Sequence, residues 1–174
     1  MTRRITVGLA TGLVLATALV WAAPARAHQP VDLGPGDATP ATGPLLVDGT
    51  VSFAVNASLT KRDQARGFRV GFNKGQSVQI QLLIKDVSPA NTLPNAALPQ
   101  VTVTDPTGRR TVLVINERTP FYEPYSGTSY LYLARFKQTA VTGTYQVSVN
   151  SRSAQPVMAV IGVGYREVPG KVMD

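Results

Sequence analysis

The chain has no cysteine, one histidine and one tryptophan in 174 residues. Without cysteine there is no disulfide framework, no thiolate nucleophile and no cysteine-ligated metal or redox centre. A single histidine rules out any chemistry that needs two imidazoles in one chain. It also deprives the serines of a base, because that histidine, His28, precedes the patterned region. No Gly-x-Ser-x-Gly elbow occurs. Charge is sparse as well, at 16% of residues, while hydrophobic residues reach 44%. That balance belongs to a folding chain rather than to a disordered polyelectrolyte. Helical periodicity of useful length is missing beyond the N-terminal apolar run.

That run reads as a secretory signal peptide over residues 1–27. Arg3 and Arg4 form a basic start, and Ile5 to Val20 is apolar apart from scattered Thr and Gly. Pro24 breaks the run, and Ala25-Arg26-Ala27 is a small-x-small cleavage site. The paired arginines also fit twin-arginine export, but Thr6 stands where that signal favours a bulky apolar residue. Removing residues 1–27 takes away three arginines and no acid, which lowers the net charge from +7 to +4 over 147 residues. The expected destination is the cell envelope or the medium, with no integral membrane span after cleavage. So modest a charge on an exported chain gives no expectation of nucleic-acid binding.

Residues 28–47 are rich in Pro, Gly, Thr and Asp and are expected to form a flexible leader. From there the hydrophobic period is two. Val51, Phe53 and Val55 alternate with small and polar residues, as do Phe68, Val70 and Phe72, and Val78, Ile80, Leu82 and Ile84. Val101 and Val103, then Tyr145, Val147 and Val149, repeat the pattern, and Val157 to Tyr165 closes the set. Thr111 to Ile115 and Tyr130 to Phe136 are apolar on both faces, which suggests central strands. Asn73-Lys-Gly75, Asp105-Pro-Thr-Gly108 and Thr142-Gly143 supply turns. Val87 to Pro99, with three prolines, reads as a loop crossing between sheets. The expectation is an all-β chain, a single jelly-roll-like β-sandwich of about eight strands over residues 48–168, with a tail at 169–174.

Three of these motifs occur in the order found in a known family. Phe68-Arg-Val-Gly-Phe-Asn-Lys-Gly-Gln-Ser-Val-Gln-Ile80 resembles the strand–Gly-Gln–strand opening of bacterial pre-peptidase C-terminal domains. Val101-Thr-Val-Thr-Asp-Pro-Thr-Gly108 is similar to that family's Asp-Pro-x-Gly turn, and Gly143-Thr-Tyr-Gln-Val-Ser-Val149 resembles its Gly-Thr-Tyr strand. The resemblance spans about Val51 to Val163. It implies a secreted, calcium-tolerant, non-catalytic accessory module with a jelly-roll-like fold.

The candidate site is the segment Thr119 to Tyr132, with Phe121, Tyr122, Tyr125, Tyr130 and Tyr132 among two prolines and a Ser-Gly pair. Tyrosines pair an apolar face with a polar tip, which suits contact with a sugar or a protein. Tyr122 and Tyr125 at the loop tip, with Arg118 and Glu123, are the expected ligand contacts. An envelope glycan or a protein is the expected partner, while Tyr130 and Tyr132 fall in the following strand and are expected to pack. An alternative is acid/base hydrolysis of a glycan by the pair Glu117 and Glu123. A purely structural envelope protein is the third reading. The basic run Lys61 to Arg69 reads as a solvated loop leading to an edge strand. Calcium would have to draw on Asp48, Asp86, Asp105 and backbone carbonyls, with no Asp-x-Asp spacing. His28, N-terminal after cleavage, lacks the second histidine a copper site would need. No catalytic residue, metal or cofactor is therefore expected.

Overall fold

The structure is a computed structural model that describes residues 28–174; the segment 1–27, expected as a signal peptide, lies outside the described residues. Among the described residues, twelve strands form two six-stranded sheets. The first has the order β1 (Gln29–Leu33), β3 (Phe53–Leu59), β11 (Val157–Val163), β5 (Ser77–Lys85), β9 (Thr128–Thr139) and β8 (Thr119–Glu123). The second has the order β12 (Val172–Met173), β2 (Leu45–Leu46), β4 (Ala65–Phe72), β10 (Gly143–Asn150), β6 (Gln100–Thr104) and β7 (Arg110–Val112). Setting aside β1, β2, β8 and β12 leaves eight strands. Numbered along the chain, they run 1-8-3-6 in one sheet and 2-7-4-5 in the other. That interleaving is two Greek keys wound together, a jelly roll.

The period-two runs dictate this arrangement. In β10, Tyr145, Val147 and Val149 are buried while Gln146 is exposed. Val147 sits between Phe68 of β4 and Val103 of β6. Facing them across the sandwich, Phe53, Val55, Ile80, Leu82, Leu133 and Ile161 are fully buried. Val147→Ala is expected to cost about 1–3 kcal/mol through lost transfer energy and a residual cavity. Gln146→Ala is expected to stay within about 0.5 kcal/mol. Urea unfolding of both variants checks the strand phase, and equal costs would contradict it.

Three segments depart from expectation. The segment 28–47, expected as a flexible leader, supplies a strand to each sheet. β1 pairs in parallel with β3 from Gln29↔Phe53 to Leu33↔Ala57, and β2 pairs with β4. Its prolines and glycines serve the crossing between sheets: a Cβ on Gly43 would meet the Gly67 carbonyl oxygen at 1.9 Å, so the two backbones pack directly. The C-terminal residues, expected as a tail, close the second sheet with Val172↔Leu46. Thr111–Ile115, expected as a central strand, is an edge instead. β7 pairs only with β6, Leu113 turns into the core, and Val112 and Val114 are exposed. An apolar run with two faces does not by itself tell a central strand from an edge strand with exposed valines.

The other turns fall where the sequence puts them. Gly75 and Gly108 both take φ +87°, closing the turns after β4 and β6. The segment between β5 and β6 carries two short 3-10 turns, Ala90–Thr92 and Asn95–Ala97, and crosses from one sheet to the other. The basic run is divided rather than presented as one face: Arg66 is buried at the start of β4, and Arg69 donates to the Gly43 carbonyl at 2.9 Å. No helix among the described residues is long and apolar enough to cross a membrane.

Candidate functional site

The segment Thr119 to Tyr132 is a hairpin. β8 runs out along the edge of the first sheet, Pro124 to Gly127 make the turn with Gly127 at φ +65°, and β9 returns. Strand alternation divides its side chains. Phe121 and Glu123 point to the outward face of the first sheet, and Tyr122 points to the opposite side of β8. On β9, Tyr130 and Tyr132 share the outward face with Phe121. Their ring centroids lie 6.4 and 5.5 Å from that of Phe121.

A β-bulge interrupts the pairing of β9 with β5. Leu82 pairs with Ala134 and Leu83 with Tyr132, leaving Leu133 as an extra residue on β9. Leu133 and Ala134 are therefore both buried, and Arg135 emerges on the same face as Tyr132. Its guanidinium lies 3.8 Å from the centre of the Tyr132 ring. It also donates to Glu117 at 2.8 and 3.4 Å.

Behind these rings lies a cavity of about 350 Å³ on the outward face of the first sheet. Its floor comes from the centre of the sheet: Ala54 of β3, Val160 and Gly162 of β11, and Leu83 of β5. Phe121, Tyr130 and Tyr132 wall one side, and Asn56 and Gln81 add amides. The two ends come from diagonally opposite corners of the sheet. His28 and Pro30 enter from β1, while Glu123, Tyr125 and Ser126 enter from the hairpin tip. Twist accounts for the meeting. Five strand-to-strand steps of roughly 20–25° turn the outer strands roughly 100–125° apart, which lifts two diagonal corners to the same side.

The titratable groups at the ends are settled by their surroundings. Glu123 accepts the backbone N–H groups of Tyr125 (2.8 Å) and Ser126 (2.6 Å), and the bonding from Ser126 foremost holds its carboxyl below the usual range. His28, exposed as a residue, is bonded through Nδ1 to the Ser52 hydroxyl. Desolvation in the cavity lowers its pKa from the ordinary histidine value, against the opposing pull of Glu167 and Glu123. At neutral pH the cavity thus presents one carboxylate and an uncharged imidazole, and neither lysine nor arginine lines it.

Among the residues singled out in the sequence, Glu123 and Tyr125 line this cavity and Tyr122 and Arg118 do not. Tyr122 is 60% exposed on the far side of β8. Arg118 is tied to the crossing loop, donating to the Asn91 carbonyl at 2.9 Å, the Leu93 carbonyl and the Asn95 amide oxygen at 3.0 Å. The paired carboxylates are not brought together. β8 carries the chain about 13 Å from Thr119 to Glu123 at about 3.3 Å per residue. Glycosidase carboxyls stand roughly 5–9.5 Å apart. Hydrogen bonds from Arg135 first, then from Thr119, hold the Glu117 carboxyl below the usual range, so neither glutamate is primed as a proton donor.

The aspartates considered for calcium are likewise dispersed. Asp48 accepts from Thr50 and pairs with Arg166, Asp86 accepts from Asn91, and Asp105 caps its own turn through Thr107 and Arg109. No cluster of three His, Asp or Glu side chains suited to a metal occurs among the described residues.

These pKa shifts fix an acid response. Asp105, lowered chiefly by the Thr107 hydroxyl, joins Glu117 and Glu123 as a carboxylate favoured by folding. Their contribution is complete above the ordinary carboxylate pKa of about 4 and is lost as pH falls through the lowered folded values. His28, favoured neutral, contributes fully above about 6.5 and loses that contribution as pH falls toward its lowered folded value. Urea midpoints are therefore expected to drop in two stages on acidification. His28→Gln should remove the upper stage and Asp105→Asn should shrink the lower one. A midpoint rising between pH 7 and 5 would contradict the assignment.

No protein-family model matches the chain, and a search of curated proteins finds no match.

Proposed function

We propose that this chain is a secreted, non-catalytic binding module of the cell envelope or the surrounding medium, with the cavity on the outward face of the first sheet as its ligand site. One observation carries the reading. The outward face of an antiparallel sheet is ordinarily solvated and polar, yet here Leu83 is buried on that face and Ala54, Val160 and Gly162 continue it as an apolar floor under aromatic walls. Concave, mostly apolar sites with a few convergent polar groups are where small ligands bind. The pre-peptidase C-terminal resemblance supports the accessory character, since its motifs fall on β4–β5, the β6–β7 turn and β10. The export signal supports the location.

Gly162 supplies the test. A Cβ built there meets its nearest neighbours at 3.5–3.8 Å, ordinary contact, so a side chain fits and projects into the cavity. Protein beginning at His28 is expected to co-sediment with isolated envelope material. Gly162→Leu should reduce that binding at least ten-fold without altering the fold, and Tyr122→Ser should leave it within about two-fold. Equal binding by the plugged variant would refute the site.

Processing adds a further expectation. Cleavage after Ala27 would place the new α-amine on His28, at one end of the cavity. N-terminal sequencing of exported protein should begin His-Gln-Pro; a retained Met1 or Thr2 would contradict cleavage.

A further inference from the structure

We propose that the cavity binds a short, uncharged segment of a glycan. The inference rests on reading the cavity as the ligand site and names what that site selects. Three features of the lining converge on it.

The first is charge. Glu123 is ionised, His28 is neutral, and no lysine or arginine lines the cavity. The Arg135 guanidinium, stacked on the lining Tyr132, is committed to Glu117. A phosphate, a uronate or a fatty-acid carboxylate would meet the Glu123 carboxylate with no lysine or arginine to pair it, the α-amine that cleavage places on His28 being the one cation at the cavity's end. Lys85, Arg135 and Lys137 share the outward face of the sheet, but none of them lines the cavity.

The second is the pairing of ring faces with amides. Phe121, Tyr130 and Tyr132 wall the cavity with tilted rings, Phe121 lying at 30° to Tyr130 and 49° to Tyr132. Aromatic faces of this kind pack against the C–H face of a sugar ring, while the phenol hydroxyls remain as polar tips. Asn56 donates its Nδ2 to Asp32 at 2.8 Å, which leaves its amide oxygen as an acceptor, and Gln81 brings both a donor and an acceptor to the floor. A sugar offers hydroxyls to each of these. A hydrocarbon chain would desolvate the same amides and phenols and return no hydrogen bonds.

The third is size and access. About 350 Å³ is near the lower end of the roughly 300–1,000 Å³ range of small-molecule sites. The cavity is bounded at two diagonal corners of the sheet, so it grips a short stretch of chain rather than a broad surface. Gly162 keeps the floor low at its centre, where any side chain would fill the space.

The test uses protein beginning at His28 and a defined set of probes. These are the neutral trisaccharides cellotriose, maltotriose, mannotriose and N-acetylchitotriose, the anionic trigalacturonic acid, and the uncharged apolar dye N-phenyl-1-naphthylamine. Saturation-transfer NMR and calorimetry read binding to the wild type, Gly162→Leu, Tyr132→Ala and Tyr122→Ser, each first shown to be folded by circular dichroism and a cooperative melt. At least one neutral trisaccharide is expected to bind, with transfer to its ring C–H protons. The affinity should fall ten-fold or more in Gly162→Leu and Tyr132→Ala and stay within two-fold in Tyr122→Ser. Trigalacturonic acid should bind at least ten-fold more weakly. Dye binding that is sensitive to Gly162→Leu, with no neutral sugar bound, would overturn the glycan and keep the site. Equal binding of trigalacturonic acid would overturn the charge argument and with it the proposal. No probe responding to Gly162→Leu would overturn both the glycan and the site.

Discussion

Tyr145→Ala is expected to lower stability by about 3–5 kcal/mol, the range for truncating a large buried aromatic. Tyr145 is fully buried near the start of β10, paired with Val70 of β4. Its ring meets that of Phe72 edge-on, with centroids 5.2 Å apart and planes at 79°. Its hydroxyl accepts the Val141 backbone N–H at 3.1 Å, fastening the turn before β10 to the strand itself. Truncation thus removes a ring, a ring pair and the acceptor of a backbone donor together. Against a total stability of about 5–15 kcal/mol, that is a large fraction. At roughly 2–4 °C per kcal/mol for a domain near this size, the Tm should fall by about 6–20 °C. Tyr145→Phe isolates the hydroxyl and should cost only about 0.5–1.5 kcal/mol. A Tyr145→Ala protein melting within two or three degrees of wild type would show that β10 is not central to the core.

Such a core residue is legible in sequence because Tyr145, Val147 and Val149 alternate with polar partners over a full strand. The same logic finds β3, β4, β5, β6 and β11. It does not find β1, β2 or β12. These strands of two to five residues exist because a neighbouring strand offers an open edge, and nothing in Gln29–Leu33 forces an extended conformation on its own. The cavity was hidden for a related reason. Its floor takes one or two residues from each of β3, β5 and β11, and each strand alone reads as an ordinary outward face. One signal was present. Ser77, Gln79, Gln81, Leu83 and Lys85 share a face of β5, and Leu83 is an apolar interruption in it. Tyr130 and Tyr132 repeat that interruption on β9. The hairpin's tyrosines draw attention to the correct part of the chain but not to the correct members. Alternation along β8 sends Tyr122 away from the cavity, while the bulge at Leu133 turns Arg135 out beside Tyr132.

Two glycines two residues apart give the sharpest contrast the fold allows. Gly164 follows β11 at φ +76°, in the left-handed region, and a Cβ there would lie 2.0 Å from the Val51 carbonyl oxygen and 2.8 Å from that of Thr50. Both obstacles are backbone, held by the N–H groups of Tyr165 and Arg166, each 2.9 Å from the Thr50 oxygen, and by the bridge between Val51 and Arg166. Gly164→Ala therefore meets strain of about 1–2 kcal/mol from its dihedral alone. It must also displace the chain that closes the end of the sandwich, for a total expected cost of about 3 kcal/mol or more. Gly162 is paired within β11 and carries neither constraint. Gly162→Ala is expected to be neutral or to stabilise slightly, since alanine loses less conformational freedom in a strand, by roughly 0.5–1 kcal/mol. Urea unfolding of the two variants side by side reads the difference. A large loss at Gly162 would mean that the floor of the cavity is packed rather than open. A silent substitution at Gly164 would mean that the chain leaves β11 by a different turn, and that β1 and the His28 corner it abuts are not fixed where the cavity needs them.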